Sequence, residues 1–457
     1  MKLKKNDILK LEITDITNLG FGVGKHEGAV IFISGTVPGD VVRAKIIKAS
    51  SSYFVGRVEK YISKSTYRVD SRCKNTKCRA CAYRELGYDY ELRLKGEMVK
   101  SAFIKAGLPD AEIAPVTPSP SELEYRNKAQ YPVKRDKDGK YSIGFYAPKS
   151  HNVCEAADCP LSHPEFSAIL ETLRAFFEER DLTTYDEEVG EGLLRHIYLR
   201  RAITTGEVLL TLVIASEQFP SADALVGKIR AAHPEVVGIL LNENCENTNV
   251  ILGDKFTCIY GRDYIVDTLG GVELRISAPA FYQVNHGTAE LIYKRARELA
   301  SLDKNDTLLD LYCGAGSIGL SMATDAGELI GIEIVPEAVE CAKLNARANG
   351  IDNASFFTGD ATDCEMLLAE AERQLGKQIL PDVIILDPPR GGCSKELLTF
   401  VSKLNPKRVV YISCNPTTLA RDVKIMTDLG FEYGIVEPYD MFPMTGHVES
   451  VVCLTRK

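Results

Sequence analysis

Cys414 is the residue whose setting most demands a chemical explanation. It lies in Tyr411-Ile-Ser-Cys-Asn-Pro416, polar around the sulfur, whereas a packed cysteine has apolar neighbours. The pattern sets it just past an apolar strand, with Pro416 opening a helix. A thiol at a helix's positive end is favoured as the thiolate. Met444-Thr-Gly-His-Val-Glu449 offers a base, Glu449 first and His447 as an alternative; either side chain equally suits an ordinary surface position. Asp387-Pro-Pro-Arg390 ends another apolar run with a carboxylate. Gly314-Ala-Gly-Ser-Ile-Gly319 matches G-x-G-x-x-G, and Glu333 follows 19 positions after Gly314. Glycines there let the backbone approach a ligand, and the carboxylate accepts from ribose hydroxyls.

The glycine motif by itself fits a nicotinamide dehydrogenase as well as a methyltransferase. Its flanks decide. Asp310, just before Tyr312-Cys-Gly-Ala-Gly316, is an acidic lead-in suited to orienting a cationic methionine moiety, and hydride transfer has no use for Asp387-Pro-Pro-Arg390. A thiol beside a methyl donor suits uracil. Carbon-5 of that ring is a poor nucleophile, but thiolate addition to carbon-6 makes an enolate whose carbon-5 takes a methyl group. A base then removes the carbon-5 proton and the cysteine leaves. The ring must be unstacked for this, which favours an RNA loop or bulge over a perfect duplex. Two other readings stay open: an amino-group methyltransferase, which needs no Cys414, and an RNA-binding protein with an inactive catalytic domain.

The elements that must hold these residues are legible as periodicity. From about residue 275, apolar strands near 307–312, 329–333, 354–357, 382–387 and 408–413 alternate with helices. That predicts an α/β domain over 275–457, a doubly wound parallel sheet that binds ligands at its strands' carboxyl ends. Residues 1–60 read as five short strands with glycine turns, an OB-like β-barrel. Lys25, Arg43, Lys45, Lys48 and Arg57, with Phe21, Tyr53 and Phe54, suit single-stranded RNA, although each ring also suits the barrel core. Residues 61–274 read as a central α+β domain, with an amphipathic helix from Ser162. Arg126, Lys128, Arg195 and His196 are candidate RNA contacts there.

The chain has 457 residues, 45% hydrophobic and 26% charged, the composition of a multidomain globular protein. Its net charge of −8 is unevenly spread: residues 1–140 hold 27 Lys and Arg against 17 Asp and Glu, the remainder 28 against 46. That asymmetry predicts a basic docking surface on an acidic body. No apolar run spans a bilayer, and none follows the basic start Met1-Lys-Leu-Lys-Lys, so no membrane partner and a cytoplasmic location are expected. A monomer is assumed. In a reducing compartment the 13 cysteines are not a disulfide scaffold. Cys73-x4-Cys78-x2-Cys81 gathers three thiols on one loop, with Cys154 or Cys159 available as a fourth, a set that suits zinc and iron–sulfur clusters alike.

Phe281-Tyr-Gln-Val-Asn285, Asp310-Leu-Tyr-Cys-Gly-Ala-Gly316, Leu386-Asp-Pro-Pro-Arg390, Ser413-Cys-Asn-Pro416 and His447-Val-Glu449 together resemble the RNA 5-methyluridine methyltransferase family. The N-terminal barrel resembles that family's TRAM domain. The resemblance implies a Rossmann-like class I fold and S-adenosylmethionine held by Gln283, Tyr312, Ser317, Glu333 and Asp387. Cys414 is then nucleophile and Glu449 base, with Asp387 also stabilising the ring as charge develops. It implies a 4Fe-4S cluster on Cys73, Cys78, Cys81 and Cys159, set apart from the chemistry. Four residues between the first two cysteines, where five are expected, and Arg79-Ala80 in place of Gly-Gly depart from the family pattern. The barrel-plus-cysteine arrangement resembles the branch acting on 23S ribosomal RNA more than that acting on transfer RNA.

Overall fold

The computed structural model describes residues 3–75, 77–147, 150–156 and 158–457. Ile8–Ile16 (β1), Phe21–His26 (β2), Ala29–Ser34 (β3), Val41–Ala49 (β4) and Phe54–Ser63 (β5) close into a barrel in the order β1-β2-β3-β5-β4. Alternation turns Leu11, Ile13, Ile31, Ile33, Val42, Ala44 and Ile46 inward, as the period of two in a strand requires. Phe54 packs against that core, whereas Phe21 is exposed. Arg43 pairs with Glu59 across the β4–β5 ladder.

Tyr88–Lys105 (α1) follows the barrel. A second sheet then assembles from Lys128–Arg135 (β6), Tyr141–Tyr146 (β7), Val153–Glu155 (β8), Leu194–Arg201 (β9), Val208–Ile214 (β10), Val236–Glu243 (β11) and Lys255–Gly261 (β12), in the order β12-β11-β10-β9-β6-β7-β8. Pro164–Glu179 (α2) and Ala222–Ala232 (α3) pack onto it, α2 through Phe166, Ile169, Leu170, Leu173 and Phe177. This helix starts at Pro164 rather than Ser162, because proline has its φ preset for the first helical position and lacks only an N–H that would be unpaired there.

The hairpin of Tyr264–Leu269 (β13) and Val272–Ser277 (β14) leads into the last layer. It runs His286–Ala300 (α4), Thr307–Leu311 (β15), Ser317–Ala323 (α5), Glu328–Glu333 (β16), Pro336–Ala348 (α6), Ala354–Thr358 (β17), Cys364–Leu375 (α7), Val383–Leu386 (β18), Lys395–Lys403 (α8), Arg408–Ser413 (β19), Pro416–Asp428 (α9), Phe431–Tyr433 (β20), Glu437–Tyr439 (β21) and Glu449–Arg456 (β22). The order is β17-β16-β15-β18-β19-β22-β20, with β21 on β22; β15 to β19 are parallel and β22 is antiparallel. Two apolar layers cover the sheet. One draws on α1, whose Val99 and Phe103 share a core with Leu419 and Val423 of α9. Strand order reverses between β15 and β18, the place where such sheets bind ligands. Among the described residues no helix is long and apolar enough to cross a membrane.

Candidate active site

At the β15–β18 junction two loops leave the sheet side by side. After β15 the backbone turns through positive φ at Tyr312 (66°), Gly314 (55°) and Gly316 (81°). A Cβ on Gly316 would stand 3.0 Å from Leu320 and 3.1 Å from Ala342, so glycine is required there. Asp310 is fully buried and accepts the Gly319 N–H at 2.9 Å. It does not line the cavity. The sequence pointed it at a methionine moiety; the structure makes it the anchor of the glycine turn. Glu333, ending β16, accepts the N–H of Gly314 at 3.0 Å and of Val335 at 2.9 Å. A carboxylate accepts about four hydrogen bonds, which leaves capacity for ribose hydroxyls.

These loops open on a cavity of about 810 Å³ whose walls include Gln283, Tyr312, Ser317, Glu333, Asp387, Cys414 and Glu449. Apart from Asp310, the residues to which the sequence gave catalytic or cofactor roles thus meet in one place. The meeting of Cys414 and Glu449 follows from register: Ser413 ending β19 pairs with Ser450 near the start of antiparallel β22, so the residue after the first and the residue before the second lie at the same sheet end. Asn415 fixes the thiol's loop, its Oδ1 accepting the Thr417 N–H at 3.0 Å and its Nδ2 donating to the Arg390 carbonyl at 3.0 Å. Lys95 of α1 is wholly buried. Its Nζ reaches Glu91 at 2.6 Å, Asp440 at 2.7 Å and the Phe442 carbonyl at 3.1 Å, tying the segment that leads to His447 and Glu449.

The electrostatics correct one expectation. Burial, and then the charges of Glu449 and Asp387, push the Cys414 thiol up to about 11, with Arg390 acting in the opposite sense. The helix end does not hold a thiolate here, because burial and the two carboxylates outweigh it. Burial and Asp387 push Glu449 up to about 8, and burial alone lifts Asp387 to about 7. Burial, then Arg390, keeps His447 below its ordinary value, so the half-buried imidazole is neutral at pH 7. Neither Glu449 nor His447 is an ordinary surface residue.

Tyr293, Phe442 and Arg390 also line the cavity, and sequence reasoning gave none of them a role. The Tyr293 hydroxyl lies 2.7 Å from Ser317 Oγ. On α4 its spacing with Ala289, Ile292 and Ala296 reads as core, so no local signal marks it; Arg390 stood in the Asp-Pro-Pro-Arg motif and was legible. Of the suggested RNA contacts, Arg195 is buried and donates to the carbonyls of Asn244 and Glu246, a structural role, and His196 is buried beside it. Arg126 and Lys128 face a second cavity of about 310 Å³, walled by Cys73, Cys78, Cys81 and Cys159. Cys154 is buried outside that wall. Among the described residues no three His, Cys, Asp or Glu side chains converge closely enough to hold one metal ion. The thiols ring a space instead of meeting at a point.

The sequence model of the tRNA (uracil-5-)-methyltransferase family matches residues 87–457, and that of the TRAM domain residues 2–58. The chain belongs to the tRNA (uracil-5-)-methyltransferase family. It is an S-adenosylmethionine-dependent RNA (uracil-5-)-methyltransferase with an N-terminal TRAM domain. Among relatives in this family, an uncharacterised RNA methyltransferase of Clostridium tetani is 37% identical over 99% of this chain and 97% of its own length. Another, of Halalkalibacterium halodurans, is 38% identical over 100% and 98%. The crystal structure of Pyrococcus abyssi tRNA (uracil-54, C5)-methyltransferase in complex with S-adenosyl-L-homocysteine superposes with a TM-score of 0.79 at 26% identity, covering 98% of this chain and 100% of that one.

Proposed function

We propose that this methyltransferase modifies a loop or bulge uridine of 23S ribosomal RNA through a covalent bond between Cys414 and carbon-6. What supports the reading is the convergence of Cys414, Glu449 and Asp387 on the cavity that the glycine loop and Glu333 also line. Gln283, Tyr312, Ser317, Glu333 and Asp387 hold the methyl donor, and Asp387 also stabilises the ring as charge develops. The Cys414 thiol loses its proton to solvent and its sulfur bonds to carbon-6, while the ring's π electrons move to the carbon-4 oxygen. Those electrons return through carbon-5 to form its bond to the methyl group, while the sulfonium–methyl bond breaks and S-adenosylhomocysteine leaves. Glu449, ionised before the cycle begins by losing its own proton to solvent, removes the carbon-5 proton, the ring double bond re-forms and the sulfur–carbon bond breaks. The departing thiolate recovers the proton from Glu449, so the pair ends as it began. RNA carrying 5-fluorouridine tests this, because its carbon-5 has no proton to lose: a donor-dependent adduct should accumulate at Cys414. Its absence, or activity surviving Cys414→Ala, would favour the amino-group alternative.

A transfer-RNA target is the second reading, favoured by the full-length likeness to the Pyrococcus abyssi enzyme. Mapping 5-methyluridine in ribosomal and transfer RNA from cells with and without the gene separates the two. The protein acts in the cytoplasm and as a monomer. Cys73, Cys78, Cys81 and Cys159 hold a 4Fe-4S iron–sulfur cluster: four thiols around a cavity, with Arg126 and Lys128 on its wall, suit an anionic multi-atom group better than a single ion. The cluster would crosslink the Cys73–Cys81 loop to Cys159. Iron and sulfide absent from anaerobically purified protein would refute it.

A further inference from the structure

We propose that the groove between the barrel, α1 and the start of α9 carries the RNA strand flanking the target uridine, and that Tyr67, Tyr90 and Arg93 form a stacking platform for one of its bases. This rests on the RNA methylation proposed above. The groove encloses about 1050 Å³ and brings together Lys25 of β2, Arg93 and Lys105 of α1, and Arg421 of α9. Four cations face two carboxylates, Asp15 and Glu97. Among the described residues no carboxylate pairs with Lys25 or Lys105, so their charge is left for phosphates, which such cations track along a strand.

The groove also ends in the right place. Its wall includes Pro416 and Thr417, whereas Cys414, two residues earlier, lines the catalytic cavity. A strand in the groove therefore lies one turn of chain from the nucleophile. At the groove's flank Tyr67 and Tyr90 stack with ring centres 3.9 Å apart and planes 17° from parallel. The Arg93 guanidinium lies 4.3 Å from the Tyr90 ring centre, and Tyr67 is 40% exposed over an adjoining hollow of about 300 Å³. Paired aromatic rings backed by a cation, open to solvent beside a basic channel, match what unstacked bases bind. The stack lies outside the barrel, and the barrel's own aromatics do not supply it. Its backbone is held without the rings: the Tyr67 carbonyl accepts the Gly87 N–H at 2.9 Å, and the Glu85 carbonyl accepts that of Val69 at 3.0 Å.

The test uses full-length protein, bulk RNA from cells lacking the gene, and a methyl-labelled donor. Tyr67→Ala should raise KM for RNA about tenfold, the loss of one base stack, with kcat within about twofold. Tyr67→Phe keeps the ring and should restore wild-type KM. Lys25→Glu with Lys105→Glu should raise KM and flatten the salt dependence of kcat/KM, with S-adenosylhomocysteine binding unchanged. An active wild type with RNA KM and salt dependence unmoved by these variants overturns the groove alone. A wild type that forms no 5-methyluridine overturns both this inference and the function on which it rests.

Discussion

Replacing Glu449 by Gln should make the unliganded protein more stable at alkaline pH while stopping turnover. Burial and the neighbouring Asp387 raise this carboxyl from its ordinary 4.5 to about 8. Between those values the folded state keeps a proton that the unfolded chain has released. The folded state's advantage from this group is therefore full below pH 4.5 and is lost as pH rises through about 8. At roughly 1.4 kcal/mol per pH unit, the loss is on the order of 5 kcal/mol once the carboxylate is ionised. Glutamine fills the same space without a charge and does not incur it. Urea unfolding of wild type and Glu449→Gln, without methyl donor, should show near-equal stability around pH 5 and a gap opening in the variant's favour towards pH 9. A gap that stays constant across the range would refute the claim that burial holds Glu449 neutral. On substrate, the variant should form the cysteine adduct but release product at least 100-fold more slowly, the usual scale for a lost general base.

Three further outcomes follow from the same geometry. The pH profile of kcat should rise as pH passes through about 8, since Glu449 must be ionised to take the carbon-5 proton; a profile falling over that range would contradict it. Lys95→Met strands Glu91 and Asp440 without their shared cation and should cost about 3–5 kcal/mol of unfolding free energy, measured by denaturant titration. Gly316→Ala, at φ 81° with Leu320 and Ala342 close by, should lower stability by at least about 1 kcal/mol and weaken S-adenosylhomocysteine binding, read by calorimetry.

The parts of the site that could be read from sequence are those written in consecutive residues. A strand ending in Asp387-Pro-Pro, a glycine run before α5 and a cysteine before Pro416 each specify local backbone, and the doubly wound sheet brings strand ends together whatever the intervening loops do. What stayed hidden depends on neighbours distant in the chain. Lys95 meets Asp440 across 345 positions, and no spacing announces that pair. Tyr293 reaches Ser317 from a helix face that looks like core. The thiol's ionisation was misjudged for the same reason: the helix end is visible in sequence, but the burial and the two carboxylates that outweigh it exist only in the folded site.

Three acids share this cavity, and burial raises each of them: Cys414 to about 11, Glu449 to about 8 and Asp387 to about 7. Arg390 opposes this for Cys414 and Glu449 without outweighing it, so before the donor binds the site favours neutral forms. A sulfonium ion brings a positive charge into the same low-dielectric space, and an opposite charge a few ångströms away lowers an acid's pKa. Donor binding and thiol ionisation are therefore thermodynamically linked, each promoting the other by the same amount. A thiol kept protonated until the donor arrives is also one kept from oxidation, because the thiolate is the form that oxidants attack. On the proposed mechanism, the two carboxyls beside Cys414, unhelpful to the thiolate in isolation, make its reactivity conditional on the methyl donor.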